Sequence, residues 1–177
     1  MKPKIIAPIV ILVFLAGAFV FYLNFSSLTF SIEPNLVEQG SQFTVSYRAF
    51  WMKDFRACEM SRVVESITNA AGQEMLIRES SLYTRARVKS LTEVQQMSGF
   101  IRADTYADVA AGKFIVEPPG CPIALQNADP SFMDQIRQAV TRTTTQGTAQ
   151  QLVVLPGTPA GVYHAHIRNQ IFSIRVE

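Results

Sequence analysis

Nineteen consecutive residues, Ile5 to Leu23 (IIAPIVILVFLAGAFVFYL), carry no charge. Wound as a helix at 1.5 Å per residue they extend about 28 Å, the thickness of a bilayer's hydrocarbon core. A chain built this way is expected to commit its remaining residues to one side of a membrane. Pro8 falls in the first turns, where its missing N–H costs little, and Gly17 is commonplace in membrane helices. Tyr22 falls at the outer end, where an amphipathic ring suits the interface. Lys2 and Lys4 precede the run and the next basic residue is Arg48, so the positive-inside rule places the N-terminus inside and the C-terminus outside. The expected organisation is a cytoplasmic segment 1–4, a signal anchor 5–23 and an extracytoplasmic domain 24–177, periplasmic in a Gram-negative cell. Ala16-Gly17-Ala18 offers the alternative of a cleaved signal peptide, which exports the same domain.

The exported part has room for one domain with a proper core. Without Lys2 and Lys4 its basic and acidic residues are equal at 14 each, so no global field points to nucleic acid. Short alternating runs dominate it. Leu28 to Glu33 reads as a strand stopped by Pro34-Asn35, and Phe43, Val45 and Tyr47 alternate with Thr44, Ser46 and Arg48 after the Glu38-Gln39-Gly40 turn. Cys58 to Thr68 reads as a further extended run, with Asn69 to Gly72 turning it into Gln73 to Glu79. Ser80 to Leu91 alternates again, and Val109 to Val116 and Pro159 to His166 both read as an Ala-Gly turn delivering a strand. In the final run, Gln170 to Val176, the inward set is Phe172, Ile174 and Val176.

One helix is expected outside the membrane. Asp129 caps it, Pro130 suits its first position, and Phe132, Ile136 and Val140 repeat on one face. The polar stretch Thr141 to Gln150 after it reads as a loop. About eight short strands and one short helix favour an antiparallel β-sandwich. Leu155-Pro156-Gly157-Thr158-Pro159-Ala160-Gly161-Val162-Tyr163 resembles the approach to a penultimate strand in bacterial or phage Ig-like and fibronectin-like modules, and Val37 to Val45 resembles their opening strand. The resemblance implies an Ig-like sandwich and no activity.

Cys58 and Cys121 are the only cysteines, and in an exported domain they are expected to pair. Their bridge closes a loop of about 60 residues, worth roughly 4 kcal/mol of chain entropy. His164 and His166, the only histidines, share a strand face and make a candidate copper or zinc pair that needs a third ligand. Tyr83, Arg85, Arg87 and Lys89 read as a basic row for an anionic surface or acidic partner, or as a charged edge that blocks aggregation. Phe50 and Trp51 read as an aromatic cluster for a partner or as a plug at the end of the sandwich. The chain has no Gly-x-Ser-x-Gly elbow, Ser-x-x-Lys pair, HExxH helix or phosphate-binding glycine loop, so neither an enzyme nor a cofactor is expected. The expectation is a bitopic adaptor or structural subunit of a cell-envelope assembly, its contacts being the bilayer through residues 5–23 and other envelope or particle proteins. A membrane protein of a lipid-containing virus or phage, and an exported metal-binding module, are the alternatives.

Overall fold

The computed structural model describes residues 11–20, 26–50, 57–83, 87–113 and 144–177. The chain forms two compact units. The smaller, Met1–Leu28, Ala49–Phe55 and Ile123–Thr145, contains the helix α1 (residues 11–20), and the larger is Thr29–Arg48, Arg56–Pro122 and Gln146–Glu177. The expected helix after Asp129, together with Trp51, Arg85 and Cys121, lies outside the described residues, as does the Cys58 side chain.

The protein is mainly β. In chain order the strands are β1 (Ser27–Glu33), β2 (Leu36–Val37), β3 (Gln42–Phe50), β4 (Val64–Asn69), β5 (Phe100–Arg102), β6 (Thr144–Val154), β7 (Gly161–Ile167) and β8 (Gln170–Val176). They form two four-stranded sheets, ordered β1-β3-β6-β5 and β2-β8-β7-β4. Within the second sheet β4, β7 and β8 run antiparallel in turn, while β2 lies parallel to β8, with Leu36 opposite Arg175. That sheet is therefore mixed, where a wholly antiparallel one was expected.

Alternation decides which side chains go inside. Phe43, Val45 and Tyr47 of β3 are buried, as are Tyr163, Ala165 and Ile167 of β7 and Ile174 and Val176 of β8. These residues meet between the sheets, where Phe100 packs edge-on against Phe43 and Tyr163, at 5.9 and 5.0 Å between ring centres. Pairing between β4 and β7 shifts register between Val64 and Ser66, and the side chain of Gln150 on β6 reaches across to accept the Val64 N–H at 3.2 Å. A buried donor released by a bulge is thus satisfied from the opposite sheet.

Beside β5 and β6 the alternation fails for a physical reason. Phe100 and Ile101 are both buried, and so are Leu152, Val153, Val154 and Leu155 in succession. Both sides of this part of the sheet are covered. One side faces the inner core, and the other carries Leu82, Val94 and Val109 packed with Ile101, Val153 and Leu155. Those residues come from a 3₁₀ turn (Glu79–Leu82), α2 (Leu91–Gln95) and α3 (Ala103–Ala110). Strands buried on both faces read as continuous apolar runs.

This helical layer corrects several expectations. The described residues of Ser80 to Leu91 form no strand: they hold most of the 3₁₀ turn, a single bridge between Tyr83 and Val88, and the start of α2. Leu82 is an anchor of the helical layer, not one position in an alternating row. Val109 lies in the last turn of α3, Ala111 and Gly112 make the expected turn, and the strand expected to follow lies outside the described residues; Cys58 lies in a 3₁₀ turn (Ala57–Arg62) before β4. Helices α2 and α3 were not expected, while the helix expected after Asp129 lies outside the described residues. Thr144 to Gln150, expected as part of a loop, belongs to β6, the longest strand, where threonines fit a pleated surface. The turn after β4 is as expected, with the Asn69 side chain accepting the N–H groups of Ala71 and Gln73.

Candidate interaction face

The two sheets differ in what covers their outer surfaces. The helical layer shields the β5–β6 side of the first. The outer surface of the second carries no comparable layer among the described residues. On β7, His164 and His166 alternate with the buried Tyr163, Ala165 and Ile167 and so project outward. On β8, Ile171, Ser173 and Arg175 are the exposed set. Leu36, Val162 and Ile171 are 49%, 46% and 64% exposed there. Large apolar side chains at that exposure on one sheet face mark a contact surface better than singly scattered ones do.

Register fixes the neighbours of the histidines. His164 stands opposite Thr68 on β4 and Ser173 on β8, and His166 opposite Ser66 and Ile171. The two imidazoles are brought to one face as the spacing indicates, and hydroxyl and apolar side chains surround them. Among the described residues no three His, Cys, Asp or Glu side chains converge as a metal site would require.

Of the basic row, Arg85 lies outside the described residues, and Arg87 and Lys89 make local contacts. Arg87 donates two hydrogen bonds to the Glu93 carboxylate, at 2.7 and 2.9 Å. Glu93 also accepts the N–H and hydroxyl of Ser90, whose own oxygen accepts the Glu93 N–H, closing a capping box on α2. These bonds, the Arg87 one foremost, lower the Glu93 pKa to about 2. Lys89 is half-buried with its ammonium 3.8 Å from the Met97 sulfur, and Tyr83 is exposed. Phe50 ends β3, half-buried.

A second charge cluster closes on itself. Arg102 binds Asp104 through two nitrogens and lies 3.5 Å from Glu79, which is 3.8 Å from Arg62. Partial burial pushes the Asp104 carboxyl up, but the hydrogen bonds from Arg102 and from the Thr105 N–H outweigh it and hold the group below the usual carboxylate range. This cluster ties the start of α3 to the 3₁₀ turn at Glu79.

The Pro-Gly-rich segment before β7 does structural work that the sequence left open. Tyr163 donates its hydroxyl to the Pro159 carbonyl at 2.6 Å, Gln39 donates to the Thr158 carbonyl at 2.7 Å, and Ser98 to that of Gly157 at 2.7 Å. Sequence reasoning missed the exposed trio Leu36, Val162 and Ile171; the signal available was Val162 and Ile171 falling out of phase with the inward residues of their own strands. In comparisons with known proteins, no family model, curated sequence or solved structure matches the chain.

Proposed function

We propose that the protein is a membrane-anchored adaptor of a cell-envelope assembly, and that its Ig-like domain engages a protein partner through the outer face of the β2-β8-β7-β4 sheet. The observation that carries this reading is the exposed trio Leu36, Val162 and Ile171 on the sheet that has no helical cover among the described residues. Register sets Arg175 on β8 between Leu36 and Val162, with its guanidinium 3.6 Å from Glu177, and apolar side chains beside an arginine are what protein partners use as anchors.

Two features support the Ig-like reading. Strand orders β1-β3-β6-β5 and β2-β8-β7-β4 correspond to A-B-E-D and G-F-C sheets with the first strand divided between them. The Tyr163 hydroxyl bonded to the carbonyl four residues upstream, at the start of the penultimate strand, corresponds to the tyrosine corner of such domains.

The membrane anchor rests on α1. Its described residues 11–20 are exposed on every side, Phe14 at 76%, and none is polar. A helix apolar all round needs either a protein core or lipid around it. Among the described residues no helix is long and apolar enough to cross a membrane, and the flanking parts of the Ile5–Leu23 run lie outside them. Anchoring restricts the domain to a layer near the bilayer, raising its effective concentration for a partner held there. Fractionation with alkaline carbonate extraction tests the anchor: the full chain stays in the pellet, and its appearance in the supernatant refutes retention. Cysteine 58 and cysteine 121 are proposed to be bridged, which a shift in gel mobility on reduction tests.

A further inference from the structure

The first sheet has a distinct character away from its helical cover. Beside β1, β3 and β6 a groove of about 510 Å³ is lined by the polar Thr29, Ser31, Ser46, Arg48, Gln146 and Thr148, and also by Phe30, Tyr47 and Gly147. Alternation explains the lining: Thr29 and Ser31 flank the buried Phe30, and Ser46 and Arg48 flank the buried Tyr47. A side chain at position 147 would stand 3.0 Å from the Tyr47 hydroxyl, so glycine there makes room for the Tyr47 ring.

Several of the lining's polar side chains lack internal partners. Thr29 donates to the Arg48 carbonyl at 3.4 Å. Among the described residues, the hydroxyls of Ser31, Ser46 and Thr148, the Gln146 amide and the Arg48 guanidinium make no hydrogen bond or ion pair within the protein. Three adjacent strands thus present short donor-acceptor groups and one unpaired planar cation. A second depression of about 320 Å³ adjoins at Thr148 and continues past Ala149 and Gln151 to Ala103. Groups of this kind suit a ligand with many hydroxyls, and a guanidinium matches a carboxylate bidentately.

We infer that this groove binds a carboxylated saccharide chain, its hydroxyls taken by the Ser, Thr and Gln side chains and a carboxylate by Arg48. The volume falls within the range of small-ligand sites. The groove and the proposed docking face lie on different sheets, so failure at one leaves the other untouched.

The test is isothermal titration of the full chain in detergent micelles with two probes, hexagalacturonate and the neutral maltohexaose. Hexagalacturonate saturates the wild type and maltohexaose binds at least about tenfold more weakly, the worth of one charge-assisted pairing. Arg48→Gln lowers hexagalacturonate affinity by about tenfold. Ser46→Trp fills the groove and removes binding, with Thr29→Trp serving if the first variant does not fold. The inference is overturned by any of four results: no saturable hexagalacturonate binding, equal binding of both probes, an unchanged affinity in Arg48→Gln, or undiminished binding in a folded tryptophan variant.

Discussion

The Thr158 hydroxyl accepts the N–H of Gly99 and donates to the Gly99 carbonyl, each at 2.9 Å, with Thr158 fully buried. One side chain thereby locks the loop before β7 to the residue just before β5, linking the two sheets. Thr158→Val keeps the volume and removes the bonds, leaving a buried donor unpaired. The expected loss is about 1–3 kcal/mol in urea unfolding, with Thr158→Ser retaining most of the stability.

Gly99 itself admits no side chain. Its φ is +130°, and a Cβ would fall 2.2 Å from the Met75 carbonyl oxygen, which is backbone and cannot swing aside. Gly99→Ala is expected to cost more than Thr158→Val, above about 3 kcal/mol. Thermal melts of the two variants side by side check the order.

Helical cover and sheet are expected to melt together. Leu82 is fully buried against Val153 and Leu155, so Leu82→Ala is expected to cost about 2–5 kcal/mol. Hydrogen exchange then quickens at the β5 amides as well as in α2 and α3. Quickening confined to the helices would mean that the layer is only loosely attached.

Acid acts on α2 first. The folded-state Glu93 pKa, about 2, lies below its ordinary 4.5, so the carboxylate contributes stability above about pH 4.5 and loses it as pH falls toward 2. Amide exchange at Ser90 and Glu93 is expected to rise across that window. Arg87→Gln removes the largest cause of the shift and moves the transition upward in pH.

Alkali acts on Tyr163. Burial raises its pKa above 10, so the unfolded chain ionises first and stability is lost as pH climbs past the ordinary phenol value toward the folded one. Tyr163→Phe costs about 1 kcal/mol at neutral pH through the lost bond to Pro159 and flattens the alkaline dependence. Thermal melts between pH 8 and about 11 report both effects.

The strands with one wet face were legible because alternation survives wherever only one side is covered: β1, β3, β7 and β8 fall at or within a residue or two of their expected places. Near β5 and β6 that signal is erased, since Ile101 and Val153 pack against helices while Phe100, Leu152 and Val154 pack inside. The Ser80 to Leu91 pattern misled for the converse reason. Leu82 belongs to a 3₁₀ turn and Val88 to an isolated bridge, so their even spacing is not that of a strand, and Ser90 with Glu93 forms a capping box. Of the candidate site, the histidine face was legible from i, i+2 spacing, but the polar groove joins residues more than a hundred positions apart and only strand order brings them together.

The central claim is that the outer face of the second sheet is a docking surface. Photo-crosslinking in intact membranes, with a photoreactive residue at Val162 and a control at the exposed Ala107 on α3, tests it most directly. The account predicts a discrete protein adduct from position 162, absent from 107 and lost in an Ile171→Asp background. No adduct from 162, or one equal to that from 107 and unaffected by Ile171→Asp, would contradict it.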